Sequence, residues 1–154
     1  MLDHVVDAIS PQVDAVVIVG RQWPGLFSLR DRPQGRLGPL SGLNAALRYG
    51  ADRGYDAVLS APVDVLPIPA NLAGLLAGEG PAVLSEQCLI GLWPAGLASA
   101  LDDHLLGNQK SVCGWIRNVC ARSVAEPFEM SNVNRRGDIQ SVNATPIGVL
   151  STGK

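Results

Sequence analysis

One carboxylate in the sequence is placed where metal chemistry could occur. Asp64 follows the apolar run at residues 57–61 and lies between Pro62 and Pro67. The run is typical of a strand buried on both faces, and proline ends it because it cannot donate to a ladder. Carboxyl ends of strands face the ligand crevice in an open α/β sheet, so Asp64 could hold a divalent cation that carries a phosphate. The alternative is that Asp64 only stabilises a turn, since aspartate is a preferred turn residue.

A second candidate is the glycine-rich turn at residues 38–42, Gly-Pro-Leu-Ser-Gly, which precedes a helical pattern that Gly54 ends. Glycines beside a helix start let backbone N–H groups approach an anion or a nucleotide, and the helix dipole favours negative charge there. The same residues also form an ordinary helix start. Both interpretations stay open on the motif alone.

Strands and helices alternate around these two stretches. Helical periodicity covers residues 2–9, buried strand runs cover 15–19 and 57–61, and a strand pair is predicted at 82–85 and 89–93. Further helices carry Leu101 and Trp115, and we expect Trp115 in the core. The alternation predicts an α/β fold, a three-layer sandwich with a mostly parallel sheet. We expect one domain over residues 1–143, including a last helix at about 136–142, and a flexible tail over 144–154.

Composition limits the possible partners. The chain has 154 residues, 47% of them hydrophobic, and a formal charge of −2. Lys and Arg are scattered without a basic stripe, which argues against nucleic acid, and no apolar run reaches the length of a membrane span. Three cysteines without metal spacing are typical of buried or free thiols in a reducing compartment. The expected location is the cytoplasm.

Three motifs together resemble molybdenum cofactor guanylyltransferases. They are the turn at residues 38–42, the segment Ser-Ala-Pro-Val-Asp-Val-Leu-Pro at 60–67, and Asn132-Val133-Asn134. They occur in the family's order and approximate spacing, and the resemblance extends from Leu2 to about Val142. It implies the Rossmann-like nucleotidyltransferase fold, which nucleotide-diphospho-sugar transferases share.

The resemblance also implies a reaction. GTP, held with Mg²⁺, is attacked at its α-phosphorus by the terminal phosphate of molybdopterin, and pyrophosphate leaves. Asp64 matches the family's catalytic, metal-holding acid, and Asp31 matches an acid on the nucleotide side. The family's loop near the base and ribose is matched by Gly38, Pro39, Leu40 and Gly42. The pair on the pterin and phosphate side is matched by Asn132 and Asn134.

One family feature has no counterpart in this sequence. Relatives begin with a strand and a Leu-Ala-Gly-Gly-x-Ser-x-Arg-Met-Gly loop with a lysine, which cradle the triphosphate, and Met1 aligns after them. We therefore expect the first strand to be missing and activity to be weak or absent. A late start codon, a fragment and an inactive remnant all explain this, and the phase of residues 1–4 with the family's internal segment favours the first two. The missing strand would lie between residues 15–19 and 57–61, which would then pair directly or leave edges exposed for self-association or a protein partner.

Two functional hypotheses stay open. The first is a guanylyltransferase-type enzyme fold that uses GTP, molybdopterin and Mg²⁺. The second is a non-catalytic nucleotide- or pterin-binding protein derived from that family. Mg²⁺-dependent release of pyrophosphate distinguishes the two. Selectivity between guanine and cytosine, the oligomeric state and the roles of the cysteines stay open as well.

Overall fold

The structure is a computed structural model that describes residues 2–33, 38–107, 111–132 and 146–151, with backbone only at 132 and 146–151. The strands are β1 (Ala15–Val19), β2 (Phe27–Leu29), β3 (Ala57–Pro62), β4 (Val65–Leu66), β5 (Ala82–Leu84), β6 (Gly91–Pro94), β7 (Arg122–Val124), β8 (Ser131–Asn132) and β9 (Pro146–Ser151). The α-helices are α1 (Leu2–Ile9), α2 (Pro39–Asp52), α3 (Leu72–Leu76), α4 (Ala98–Leu106) and α5 (Val112–Asn118). None of the helices in these ranges is both long and apolar enough to cross a membrane.

Seven strands form one sheet in the order β2-β1-β9-β3-β6-β5-β7. The strands β1, β2, β3, β5 and β7 point the same way, whereas β6 and β9 run opposite to their neighbours. The α/β fold class predicted from the sequence is confirmed, and the sheet is mixed. The predicted strand pair is the antiparallel β5–β6 pair, and β4 pairs with β8 in a separate two-stranded ribbon.

Buried side chains cover both faces of the large sheet. Neighbouring residues of β1 and β3 point to opposite faces, as the period of a strand requires. One cluster joins Ile18 and Leu59 to α1 and α3, and the other joins Val19 and Val58 to α2, α4 and α5. The arrangement is the three-layer sandwich expected from the alternating pattern.

The second cluster contains the two fully buried indole rings, those of Trp93 and Trp115. Trp115 of α5 is fully buried, as predicted, and its ring centroid lies 6.4 Å from that of Trp93. Ser111 accepts a hydrogen bond from the backbone N–H of Gly114 at 3.0 Å and so caps α5. This cap fixes where α5 begins, because it satisfies a backbone donor that the helix itself leaves unpaired.

Strand β9 overturns one expectation about the sheet. Residues 15–19 and 57–61 were expected to pair directly or to leave exposed edges, but β9 lies between β1 and β3 and is antiparallel to both. Residues 146–151 thus form a strand where a flexible tail was expected. The physical reason is that an inserted strand satisfies the backbone N–H and C=O groups of both neighbours. The helix predicted at about 136–142 falls outside the described residues.

Candidate functional site

Asp64 lies in the turn between β3 and β4. The strand β3 ends at Pro62, and Val63 and Asp64 connect it to Val65, which starts β4. Val65 pairs with Asn132 in the β4–β8 ribbon, so the backbone of Asn132 lies beside the residue that follows Asp64. The fold therefore brings the segment at residues 60–67 next to the backbone of Asn132, which is more than 60 residues away in the sequence. Asn134 lies outside the described residues.

The glycine-rich turn forms the start of α2. Gly38 is the N-cap residue, with φ 78° and ψ −169°, a conformation that is essentially confined to glycine. Pro39 occupies the first turn, and the Oγ of Ser41 donates to the carbonyl oxygen of Gly38 at 2.7 Å. Gly38 is exposed and Pro39 half-buried, whereas Leu40 and Gly42 are buried inside the first turn. Of the four loop residues matched by resemblance, Gly38 and Pro39 are the ones a ligand could reach.

Asp31 is tied to the same helix start. The backbone N–H of Arg32 donates to the carbonyl oxygen of Ser41 at 3.0 Å, and Nδ2 of Asn44 donates to the carbonyl oxygen of Arg32 at 3.1 Å. Asp31 itself is half-buried, and this burial raises the pKa of its carboxyl group above the ordinary value. The loop after β2 and the first turn of α2 therefore form one connected unit.

A charged cluster that the sequence analysis missed holds this unit to α4. Asp102 accepts hydrogen bonds from Nδ2 of Asn44 at 2.8 Å, from a terminal guanidinium nitrogen of Arg48 at 2.6 Å and from Nε of Arg32 at 3.3 Å. Partial burial alone would raise the pKa of the Asp102 carboxyl, but these hydrogen bonds outweigh it and lower that pKa. A signal was present in the sequence: Asn44 interrupts an otherwise apolar helix pattern, and Arg48 follows it at the spacing of one helical turn.

A small apolar pocket lies between the start of α2 and the centre of the sheet. It is lined by Pro39, Leu40, Leu43, Ser60, Cys88, Leu89, Trp93 and Val112. Ser60 supplies its buried polar group, since its Oγ donates to the carbonyl oxygen of Leu89 at 2.8 Å and accepts from Nε1 of Trp93 at 2.9 Å. The three cysteines are free thiols, as expected, and burial together with nearby Cys113 raises the pKa of Cys88.

Asp31, Gly38 and Asp64 belong to the same end of the sheet. The parallel strands β2 and β3 lead to Asp31 and Asp64 at their carboxyl ends, and α2 begins at Gly38 between them in the chain. This edge is where open α/β sheets bind ligands. Within the described ranges, no group of three or more His, Cys, Asp or Glu side chains could hold a metal ion. Asp64 still suits Mg²⁺, which is commonly bound by one or two carboxylates, water molecules and phosphate oxygens of the substrate.

Comparison with known proteins decides the family. A sequence profile for the MobA-like NTP transferase domain matches residues 1–122. The chain belongs to this family. A molybdenum cofactor guanylyltransferase of Acidiphilium cryptum (strain JF-5) is 34% identical, over 94% of this chain and 80% of the relative. Proteins of the same name from Cereibacter sphaeroides (strain ATCC 17029 / ATH 2.4.9) and Rhodobacter capsulatus are 35% and 28% identical, over 87% and 86% of this chain and 75% of each relative.

Membership in the MobA-like NTP transferase family confirms the resemblance found from the three motifs. The matched residues 1–122 contain Asp31, the turn at 38–42 and Asp64, while Asn132 and Asn134 lie beyond them. The roles of these residues stay predictions. The geometry adds that the backbones of Asn132 and Val65 are paired, which places the backbone of Asn132 beside the residue that follows Asp64.

Proposed function

We propose that this chain carries the site of a molybdenum cofactor guanylyltransferase, which transfers GMP from GTP to molybdopterin. The observation that carries the proposal is the position of Asp64. It follows the central strand β3 at the carboxyl edge of the sheet and lies beside the β4–β8 ribbon that contains Asn132. The family membership supplies the reaction class, because the relatives described above are named molybdenum cofactor guanylyltransferases.

The proposed site has a nucleotide side and a molybdopterin side. At the start of α2, Gly38 is exposed and Pro39 is half-buried, which suits the base and ribose of GTP, and the loop that contains Asp31 is hydrogen-bonded to the same helix start. Asn132 and Asn134 are proposed to contact molybdopterin and its phosphate. Asp64 lies in the turn that leads into the ribbon and would hold Mg²⁺. Bound there, Mg²⁺ would neutralise charge on the phosphate oxygens.

The proposed reaction needs little acid–base chemistry from the protein. A terminal phosphate oxygen of molybdopterin forms a bond to the α-phosphorus of GTP, and the bond from that phosphorus to the bridging oxygen of pyrophosphate breaks. The nucleophile is already an anion, so no strong base is required. Such a site works by holding the reactants in line and by balancing charge.

The test is Mg²⁺-dependent release of pyrophosphate from GTP in the presence of molybdopterin. The 154-residue chain is assayed beside the same chain preceded by the strand and glycine-rich loop that the resemblance implies. We expect release at least by the longer version, and we expect Asp64→Asn to reduce it about 100-fold or more. Asp56→Asn is the matched control, because Asp56 is an exposed aspartate just before β3 begins.

Three results of this assay lead to different conclusions. Release that Asp64→Asn abolishes and Asp56→Asn leaves intact supports the proposed enzyme. Binding of GTP without any release, by both folded versions, would favour the non-catalytic nucleotide-binding protein instead. Release that Asp64→Asn leaves unchanged would remove Asp64 from the site.

A further inference from the structure

The loop between β5 and β6, residues 85–90, lies at the same end of the sheet as Asp64. The strand β5 is antiparallel to β6, and β6 is in turn antiparallel to β3. The strands β5 and β3 therefore point the same way, and the β5–β6 loop follows the carboxyl end of β5. This loop is thus a further segment at the edge where open α/β sheets bind ligands.

Two sets of contacts tie the β5–β6 loop to the nucleotide side of the proposed site. The Oγ of Ser60 on β3 donates to the carbonyl oxygen of Leu89 at 2.8 Å. Cys88 and Leu89 also line the small apolar pocket, and Pro39 and Leu40 at the start of α2 line it with them. The loop therefore borders the turn that is proposed to contact the base and ribose of GTP.

The first residues of the loop are held by Glu126, a carboxylate that the proposed reaction does not use. Its Oε2 accepts a hydrogen bond from the Oγ of Ser85 at 2.7 Å. Its Oε1 accepts from the backbone N–H groups of Glu86 at 2.7 Å and of Gln87 at 3.0 Å. Burial by itself would raise the pKa of the Glu126 carboxyl, but these hydrogen bonds outweigh it and lower that pKa.

Glu126 links the β5–β6 loop to β7. The backbone N–H of Ser85 donates to the carbonyl oxygen of Val124, the last residue of β7, at 2.9 Å. The N–H groups of Glu86 and Gln87 come after β5 has ended, and the carboxylate takes the place of a strand partner for both. Hydrogen bonds to an ionised acceptor are roughly twice as strong as neutral ones. One side chain therefore sets the position of the first half of the loop.

We propose that Glu126 is a positioning residue of the site, which holds the β5–β6 loop against the start of α2 and so shapes the nucleotide side. The inference rests on the proposed function, because it requires GTP to bind beside Gly38 and Pro39. Without the carboxylate the loop would leave this position part of the time. GTP would then have to restore the position on binding, at a cost in affinity.

The position of the loop can be measured without any substrate. Cys88 lies in the loop and is half-buried, and it is the only thiol left when Cys113→Ser and Cys120→Ser are introduced as a common background. The rate at which iodoacetamide alkylates Cys88, followed by mass spectrometry, reports how often the loop opens. We expect Glu126→Ala to raise this rate about tenfold.

Three further variants isolate the contribution of the carboxylate. Glu126→Gln keeps one carbonyl oxygen for the two backbone N–H groups, and its amide can donate to Ser85, so its rate should stay within about twofold of the background. Ser85→Ala removes one of the three hydrogen bonds and should raise the rate about threefold. Glu129→Ala replaces an exposed glutamate further along the same segment and should leave the rate unchanged.

The affinity for GTP is measured on the same variants by isothermal titration calorimetry with Mg²⁺. The 154-residue chain and the longer version from the pyrophosphate assay are both used. We expect Glu126→Ala to raise the Kd of GTP about tenfold and Glu126→Gln to raise it no more than about twofold. The KM for molybdopterin in the longer version should not change, because the loop borders the start of α2. A general loss of folding would instead weaken the use of both substrates.

Each contrary result has its own pattern. Equal alkylation rates for Glu126→Ala and Glu129→Ala would overturn the proposal, because Glu126 would not hold the loop. A faster rate with an unchanged Kd for GTP would overturn it as well and would leave the proposed function intact. Absence of GTP binding by both versions without the Glu126 substitution would refute the proposed function, and this inference with it.

Discussion

Replacing Asp102 by asparagine tests the charged cluster that holds the Asp31 loop to α2 and α4. In the folded chain the Asp102 carboxylate accepts from Asn44 at 2.8 Å, from Arg48 at 2.6 Å and from Arg32 at 3.3 Å. The variant keeps the size of the side chain but removes its charge and one of its two acceptor oxygens. Part of this hydrogen bonding is therefore lost without a cavity being created.

The size of the effect follows from the burial of each partner. The Asp102 side chain is 28% exposed, that of Arg32 is 51% exposed and that of Arg48 is 30% exposed, so solvent weakens both ion pairs. Asn44 is fully buried, and its bond to Asp102 is the least screened. We expect a loss of about 2 kcal/mol in the free energy of unfolding. For a domain of this length, that lowers Tm by about 4–8 °C.

The pH dependence has a definite sign. Hydrogen bonding lowers the pKa of the folded Asp102 carboxyl below the ordinary aspartate value of 3.8. Its stabilisation is thus complete above that ordinary value and is lost as the pH falls through the lower folded pKa. The difference in Tm between the wild type and Asp102→Asn should be largest near neutral pH and should shrink below about pH 4.

Thermal unfolding followed by circular dichroism measures both effects. Asp103→Asn is the matched control, because Asp103 is an exposed neighbour on the same helix. The control should change the free energy of unfolding by no more than about 0.5 kcal/mol. Equal Tm values for the two variants, or a difference that stays constant into acid, would refute the role given to this cluster.

Two further predictions concern the turn and the pocket. Gly38→Ala should destabilise the chain by about 1–3 kcal/mol through its backbone conformation alone, because an added Cβ would meet no atom within 4 Å. Gly96→Ala, where the space is also open, is the control, and equal Tm values for the two would contradict the conformational argument. Ser60→Ala should lower the free energy of unfolding, measured by chemical denaturation, by about 2 kcal/mol, because it leaves Nε1 of Trp93 buried without its hydrogen-bond partner. Ser99→Ala, at an exposed site, should cost less than about 0.5 kcal/mol, and a similar loss for both serines would exclude the hydrogen-bond explanation.

Features with a local cause could be predicted from the sequence. The apolar run at residues 57–61 and Pro62 after it predicted the strand β3 and the place of Asp64 just beyond its end. This was possible because proline ends a ladder through its own missing N–H group and needs no distant partner. The start of α2 follows from turn chemistry in the same way, because proline is favoured in the first turn of a helix. Trp115 was placed in the core by its spacing on a helix face, and it is fully buried.

Features that depend on distant partners could not be predicted. Asn44 and Asp102 are 58 residues apart, and neither has a local pattern that indicates the other. Residues 146–151 contain a proline and a glycine, which favour a loop, yet they form β9 because the sheet offers unpaired backbone on two sides. The pairing of β4 with β8, which brings Asn132 beside Asp64, is likewise a product of the assembled fold.

Asp64 is proposed to hold a divalent cation together with a nucleotide. Electron paramagnetic resonance measures this binding directly, with Mn²⁺ in place of Mg²⁺ and GTP as the nucleotide, for the wild type, Asp64→Asn and Asp56→Asn. We predict that the wild type and Asp56→Asn bind the Mn²⁺–GTP complex alike and that Asp64→Asn binds it at least about tenfold more weakly. Equal binding by Asp64→Asn and the wild type would contradict the account.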